Sequence, residues 1–485
     1  MGSKMKKLHV FFFPLMAHGH MIPMIDIARQ FAARGTKSTI ISTPGNVSHF
    51  SDNIARDQQS GLDIGTQIIP FPSVQAGLPA ECEDFNSLDS PEMAYNFSIA
   101  LSLLQEPLMR LIEEHHPDCL IADTFFTWAT NVAKKHGIPR LVFHGTNNFV
   151  SCVLANIRRY VPQAKATSDS EIFVIPGLPD HIEMSKSQLD DHGDTTKSRY
   201  TEFREKMYET EVQSFGVVVN SFYELEPGYA EYYKKDMGRT AWNIGLVSLY
   251  NRNIIDKAQR GRKMYIDEHP CLTWLDTKRP NSILYVSFGS ISRNTSAQLL
   301  EIAMGLEASN VSFIWVVRLE KIKGEDQFLP EGFEERVEGK GLIIKDWAPQ
   351  MLILDHPAIG GFMTHCGWNS ILEGVSAGLP FITWPMFAEQ FNNEKLVSQV
   401  LKTGIEVGSK VWNAWVARAD VSVTRDKIEE AANQLMSNEE DAEDRRARAK
   451  ALAEMAKKAV VEGGSSYADL TNLIEELRLY SLQSN

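Results

Sequence analysis

The order of apolar runs along the chain limits its fold more than any other feature. Residues 8–15 form a continuous apolar run, as strands buried on both faces do. The stretch 22–33 then places Ile22, Ile25, Ala28, Phe31 and Ala32 at helical spacing. Gly35 ends that helix, and 38–42 reads as the next strand. Further strands are expected at Cys119–Asp123, 139–144 and 216–220, with one long helix over 91–115. A second unit of the same kind opens near Asn281: a strand over 283–288, a turn at Gly289 and Ser290, and a helix over 297–308. Strands then follow at Ser312–Val317, Gly341–Lys345 and Ile359–Thr364. Strands alternating with helices over such lengths imply an α/β chain with two doubly wound parallel sheets. The polar stretch 251–268 is the expected junction; 437–458 reads as a solvated helix, and 465–479, after Gly463 and Gly464, as a last amphipathic one.

Two such sheets suit the size, since 485 residues exceed what one core usually holds. A net charge of −13 argues against a partner recognised through its phosphate backbone. Cys82, Cys119, Cys152, Cys271 and Cys366 are scattered and form no C-x-x-C pair, which excludes a disulfide framework and a cysteine zinc site and fits a reducing compartment. The N-terminus imitates a signal peptide, but its apolar run is short, contains Pro14 and meets His18 and His20 with no cleavage site. No apolar stretch reaches the ~18 residues of a membrane span. These features favour a cytoplasmic protein.

Ligands of open α/β sheets bind outside the carboxyl ends of the strands, so the chemistry should sit on turns that follow strands. The densest such turn is His365-Cys366-Gly367-Trp368-Asn369-Ser370, after the strand Ile359–Thr364 and before a helix of about two turns that Gly378 and Pro380 stop. A helix N-terminus presents free N–H groups and a positive dipole end, which suits a diphosphate. Gly367 allows close approach of the backbone, and His365 can add a donor. A structural alternative exists, because Ser370 and Glu373 have the S-x-x-E spacing of a capping box.

The segment 347–390 resembles the plant secondary-product glycosyltransferase signature, with W-x-P-Q at its start, H-C-G-W-N-S in the middle, then E-G, G-x-P and a closing E-Q. The resemblance spans the chain and is nearest to the family-73 branch of plant UDP-glycosyltransferases. It implies the GT-B fold, two Rossmann-like domains facing a central cleft. Residues 1–255 would bind the acceptor, completed by a C-terminal helix at about 465–485, and 256–464 would bind the donor. It implies that Trp347 stacks on uracil while Ala348 and Gln350 fix the base edge and ribose. Glu373 would accept from the ribose hydroxyls. His365, Asn369 and Ser370, with Ser290, would hold the diphosphate, and Trp368, Glu389 and Gln390 the sugar. The closing Gln390 points to UDP-glucose as donor substrate, and the family acts without a metal or other cofactor. Glu389 stands where many relatives carry Asp, as is common in this branch. A carboxylate can accept from two vicinal hydroxyls, and an indole covers a flat base.

In the first unit, Met16-Ala17-His18-Gly19-His20-Met21-Ile22-Pro23 follows the first strand. Read alone, its histidines could be ordinary surface residues; the G-H-x-x-P pattern resembles the family's catalytic turn. That maps the general base onto His20, beside Gly19, and leaves His18 at a variable position. Asp123 ends a strand and could simply cap a helix near Phe125. The family pattern D-x-F-x-x-W makes it the partner that orients His20. Thr146, in HGTNN, is a weaker carry-over as a sugar contact. The implied reaction is inverting transfer of glucose to a hydroxyl of a small apolar metabolite, flavonoid, phenolic, steroid or triterpenoid, some already glycosylated. Small acceptor and UDP-sugar are the expected partners, and a monomer the expected form. Phe125, Phe126, Phe149 and Met93 are candidates for either pocket or core, and 74–89 and 164–192 for the entrance.

Other classes fit less well. Gly374-Val375-Ser376-Ala377-Gly378 matches the G-x-S-x-G elbow of hydrolases but lacks the preceding strand. No G-x-G-x-x-G follows a first strand, against a dehydrogenase. A non-catalytic UDP-sugar sensor would keep the donor residues and lose His20 and Asp123, and both are present.

Overall fold

The protein is described by a computed structural model covering residues 7–190, 199–251, 254–258, 270–290, 294–317, 329–345, 347–412 and 421–484. Its strands in chain order are β1 (His9–Phe13), β2 (Lys37–Ser42), β3 (Ile64–Ile68), β4 (Cys119–Asp123), β5 (Arg140–Phe143), β6 (Ile172–Val174), β7 (Glu183–Ser185), β8 (Gly216–Val219) and β9 (Ala241–Asn243). They continue with β10 (Ile283–Ser287), β11 (Ser312–Val317), β12 (Gly341–Lys345), β13 (Ile359–Thr364), β14 (Phe381–Thr383) and β15 (Gly404–Glu406). Seven form a sheet in the order β3-β2-β1-β4-β5-β8-β9 and six another in the order β12-β11-β10-β13-β14-β15; β6 and β7 make a small hairpin. Every pair in the two large sheets is parallel.

The continuous apolar runs have a simple cause. On β1, Val10 and Phe12 enter the core on one side of the sheet, with Ile25 and Phe31 of the helix His18–Ala33. Phe11 and Phe13 enter the core on the other side, with Leu101, Leu108 and Phe126. Both faces are covered, so β1 has no outward polar alternation; its one polar residue, His9, is buried and bonded to Thr39 Oγ1 at 2.9 Å. In each sheet the strand order reverses once, between β1 and β4 and between β10 and β13. Those switch points open a crevice at the carboxyl ends of the strands.

Several elements differ from expectation. The helix expected over 91–115 is two, Pro91–Leu103 and Gln105–His115. Pro107 has no N–H for the carbonyl of Leu103, so the ladder breaks there. The strands β9, β14 and β15 are three residues each, too few to show a period, and β3, with Gly65, Thr66 and Gln67 at its centre, has no apolar run. The helix Glu440–Ala459 is not solvated all round: Ala442, Ala449, Ala453, Ala456 and Ala459 are buried, and it packs on the helix Trp368–Ala377. The last helix, Ser465–Ser484, runs past the expected end and returns to the first sheet, where Leu470, Leu473, Ile474 and Leu477 join the core under β1. Asp469 accepts a 2.8 Å bond from the Asn243 N–H of β9. Of the expected junction, 252–253 and 259–268 lie outside the described residues. The helix Ile254–Ala258 touches both halves: Asp256 pairs with buried Arg29 at 3.1 Å, and Lys257 with Asp355 at 2.6 Å.

Candidate active site

The first switch point brings His20 and Asp123 together. The helix after β1 starts at His18, four residues earlier than its apolar spacing suggested, so His18, Gly19 and His20 form its first turn. Asp123 is the last residue of β4, completely buried. His20 Nδ1 lies 2.8 Å from Asp123 Oδ2. The other carboxylate oxygen, Oδ1, accepts from the Phe125 N–H at 3.1 Å, and the Asp123 carbonyl accepts from buried Arg140 at 2.9 Å. Asp123 therefore closes a tight turn, and no α-helix begins until Ala129. Gly145, at φ 71°, abuts the imidazole: a Cβ there would lie 3.0 Å from the ring. Burial by itself would lower the His20 pKa; the charge and hydrogen bond of Asp123, with Glu389 across the cleft, outweigh it and raise the pKa above its ordinary value. With the Nδ1 proton held by Asp123, Nε2 is the basic nitrogen.

The second switch point carries His365, after β13, opposite Ser290, after β10. Gly367 is the N-cap of the helix Trp368–Ala377, so the N–H groups of Asn369 and Ser370 at its start open into the cleft, while the Trp368 N–H bonds the Glu389 carboxylate. A Cβ on Gly367 would lie 2.4 Å from His365 Nε2, and one on Gly289 2.6 Å from the same ring. Burial pushes the His365 pKa down to about 4, so the ring is neutral and gives one N–H rather than a charge. Because the helix starts at Trp368, Ser370 lies inside it and no S-x-x-E capping box forms. Instead Gln350 Nε2 donates to Ser370 Oγ at 3.2 Å and to Glu373 Oε2 at 2.7 Å. Ser376 Oγ donates to the Glu373 carbonyl within the same helix, so the G-x-S-x-G stretch is no elbow.

One cleft of about 1270 Å³ joins the two points. It is lined by Gly19, His20, Thr146, Ser290, Trp347, Ala348, Gln350, His365, Gly367, Trp368, Asn369, Ser370, Glu373, Glu389 and Gln390, and Asp123 sits behind His20. Besides Gln350, the side chains of Trp368 and Gln390 are already committed. The Trp368 indole donates to the Asn220 carbonyl at 2.8 Å, and its backbone N–H bonds Glu389, so Trp368 acts on a ligand through Glu389. Gln390 Oε1 accepts from the Met386 and Phe387 N–H groups, which leaves its Nε2 to donate. Burial raises the pKa of Glu389. Direct bonds cross between the halves. Pro23 has no N–H for the Gly19 carbonyl, and Asn369 Nδ2 donates to it at 2.7 Å. Asn147 Nδ2 donates to Asn393 Oδ1 at 2.9 Å.

Of the four aromatic and sulfur candidates, Phe125 lines the cleft. Phe126 stacks on Phe13 and Phe149 packs against Tyr229, both in the core, and Met93 packs on the core beside them. The expected entrance segments contribute Phe85, Gln188, Leu189 and Asp190. Phe203, Arg204 and Met207 of the helix Arg199–Val212 complete that wall. No sequence pattern marked them, because a mixed charged and aromatic helix reads as a surface element.

A family profile described as UDP-glucoronosyl and UDP-glucosyl transferase matches residues 92–436. The scopoletin glucosyltransferase of Nicotiana tabacum is 53% identical over 480 residues, which cover 98% of this chain and 99% of that one. The chain belongs to the UDP-glycosyltransferases. UDP-glycosyltransferase 73B3 of Arabidopsis thaliana is 50% identical over 97% of this transferase and 98% of its own length. The crystal structure of Glycyrrhiza uralensis UGT73P12, complexed with glycyrrhetinic acid 3-O-monoglucuronide, superposes with a TM-score of 0.91. It is 42% identical and covers 99% of this transferase and 97% of that chain. The transferase is therefore an enzyme of the family-73 type with the GT-B fold, and it moves a sugar from a UDP-sugar to a small molecule. Among its described residues no helix is long and apolar enough to cross a membrane. All five cysteines are buried and free.

Proposed function

We propose that the transferase moves glucose from UDP-glucose to a hydroxyl of a small, largely apolar plant metabolite, with inversion at the anomeric carbon and without a metal. The carrying observation is the His20–Asp123 pair at one switch point, facing the helix N-terminus at the other across a shared cleft. His20 Nε2 takes the acceptor proton as the acceptor oxygen attacks the sugar from the face opposite UDP. The positive charge then forming on the ring is held by Asp123. The leaving diphosphate is held by the N–H groups at the start of Trp368–Ala377 with Ser290, His365, Asn369 and Ser370, donors already in position as its charge grows. Trp347 covers the uracil, with the Ala348 backbone and Gln350 on its edge and ribose and Glu373 on the ribose hydroxyls. Glu389 and Gln390 hold glucose, with the Trp368 backbone N–H steadying Glu389 and with Thr146 and Gly19 on the facing side. Residues 1–255 with the final helix form the acceptor half and 256–464 the donor half. The protein acts as a monomer in the cytoplasm.

Relatives named for scopoletin, for flavonoids and for abscisate support a phenolic or terpenoid acceptor. The cleft exceeds the roughly 300–1,000 Å³ of ordinary ligand pockets, enough for donor and acceptor together. The test is incubation with UDP-glucose and a panel of coumarins, flavonols and triterpenoids. A mass gain of one hexose, with a β-anomeric proton by NMR, is expected; UDP-glucose hydrolysis with no transfer to any of them rejects the reading.

Two further results follow. Glu373→Ala removes the acceptor of two ribose hydrogen bonds and the nearer of the two acceptors of the Gln350 amide. UDP affinity, measured by calorimetry, should fall by about 2–3 kcal/mol, roughly 30- to 150-fold. An unchanged affinity removes Glu373 from the ribose site. The second concerns pH. The base works neutral, and Asp123 raises its pKa above 6.5. Transfer rate per acceptor should thus rise with pH through that raised value and then level off. A profile flat down to the ordinary histidine range contradicts the assignment.

A further inference from the structure

His18, His49 and Asp84 form a cluster of metal-ligating side chains beside, but outside, the transfer machinery. They lie far apart in sequence, so no spacing announced them. Their ligand atoms all fall within 4.8 Å of one another. His18 Nε2 is 3.9 Å from Asp84 Oδ2, and the two imidazoles meet edge to face with centroids 4.7 Å apart. The three segments are fastened together independently of these side chains. The Phe85 N–H donates to the Met16 carbonyl at 2.7 Å, which ties the Asp84 loop to the turn before His18. The Gly45 N–H donates to Glu83 Oε2 at 2.7 Å and Asn46 Nδ2 to the Glu83 carbonyl at 3.0 Å, which ties the same loop to the segment leading to His49. Asp84 Oδ1 accepts from the Asn86 N–H, and Oδ2 faces His18.

We infer that His18, His49 and Asp84 bind a divalent cation of the zinc type, and that the bound ion blocks the acceptor side of the cleft. Two imidazoles and one carboxylate suit zinc and leave a fourth tetrahedral position for water. Zinc bonds of about 2.0–2.2 Å set ligand atoms roughly 3.4 Å apart, so the groups must draw in by roughly 1 Å. All three are only partly buried, which leaves them room to turn. His18 and His49 line the cleft beside His20, so the ion and its water stand where an acceptor has to lie. The ion takes no part in transfer; it competes with the acceptor. The blocking half of this inference rests on the function proposed above, and the binding half does not.

The test titrates the full-length chain with zinc chloride against a chromogenic zinc indicator. Glucosyl transfer is followed in parallel, each variant compared with its own metal-free rate. One zinc per chain is expected, with inhibition competitive toward the acceptor and UDP affinity unchanged. His49→Gln and Asp84→Asn, made separately, should each weaken zinc by about tenfold or more and relieve inhibition in step. Absence of binding, or binding unchanged in both variants, overturns the site. Zinc lost in the variants with transfer untouched by zinc in the wild type upholds the site and overturns the blocking role. A metal-free wild type that transfers nothing defeats the function reading instead, while the indicator titration still decides the site.

Discussion

His20→Ala is expected to slow glucosyl transfer by about 100- to 10,000-fold while UDP binds almost as tightly as before. The reason is local. In the proposed reaction the imidazole contributes a base at Nε2, and the groups that would hold the nucleotide come from strands and a helix of the other half. Removing the ring leaves the cleft and its donors in place. A coupled assay of UDP release with acceptor present reads the rate, and calorimetry reads UDP affinity. Unchanged turnover would show that the acceptor loses its proton elsewhere. Loss of both turnover and UDP affinity would show that the ring holds the two halves together rather than taking a proton.

Asp123→Asn should be nearly as damaging, although it keeps size and shape. Oδ1 of Asp123 accepts from the Phe125 N–H. In the variant the amide oxygen must take that place, which turns the NH2 toward His20 Nδ1. That nitrogen can then only accept, so the ring proton moves to Nε2, the position that must be free to act as base. The rate should fall by about 100- to 10,000-fold with little change in the acceptor KM. The remaining activity should carry a second mark. Asp123 raises the His20 pKa, so its loss should move the limb of the pH profile to lower pH. A merely structural aspartate would lower yield or melting temperature without moving that limb. Loss of acceptor affinity alone, with kcat intact, would remove Asp123 from its orienting role.

The strongest signals in the chain were those tied to a single local cause. Runs such as 10–13 and 359–363 are free of polar side chains because both faces of their sheets are covered, and such runs can be read without knowing the neighbours. The turns after them read well for a related reason. The site proposed for a diphosphate needs N–H groups and a small residue at one helix start, and such a set, here Gly367, Asn369 and Ser370, has to be contiguous. Signals shared by several strands or helices were lost. β14 and β15 are three residues each, held by their neighbours rather than by any pattern of their own. The alanines of Glu440–Ala459 looked solvated because an alanine stripe gives little contrast, yet it packs against the helix that starts at Trp368. Asp123 carried two local readings, a cap or a partner; the fold shows it bonded to both the Phe125 N–H and His20.

What the residues alone determined, then, is the pair of parallel sheets and, through the resemblance, the kind of reaction. What only the tertiary structure decided is which groups meet. His20 and Asp123 are joined because the strand order reverses between β1 and β4. Gly145 is fixed by the ring it supports, and the Gly19 carbonyl, left without a donor by Pro23, is met by Asn369 from the opposite half. His18, His49 and Asp84 converge only because the Asp84 loop is laced both to the turn after β1 and to the segment leading to His49. Contacts of this kind depend on distances between segments remote along the chain, and those distances exist only once the sheets have formed and faced each other.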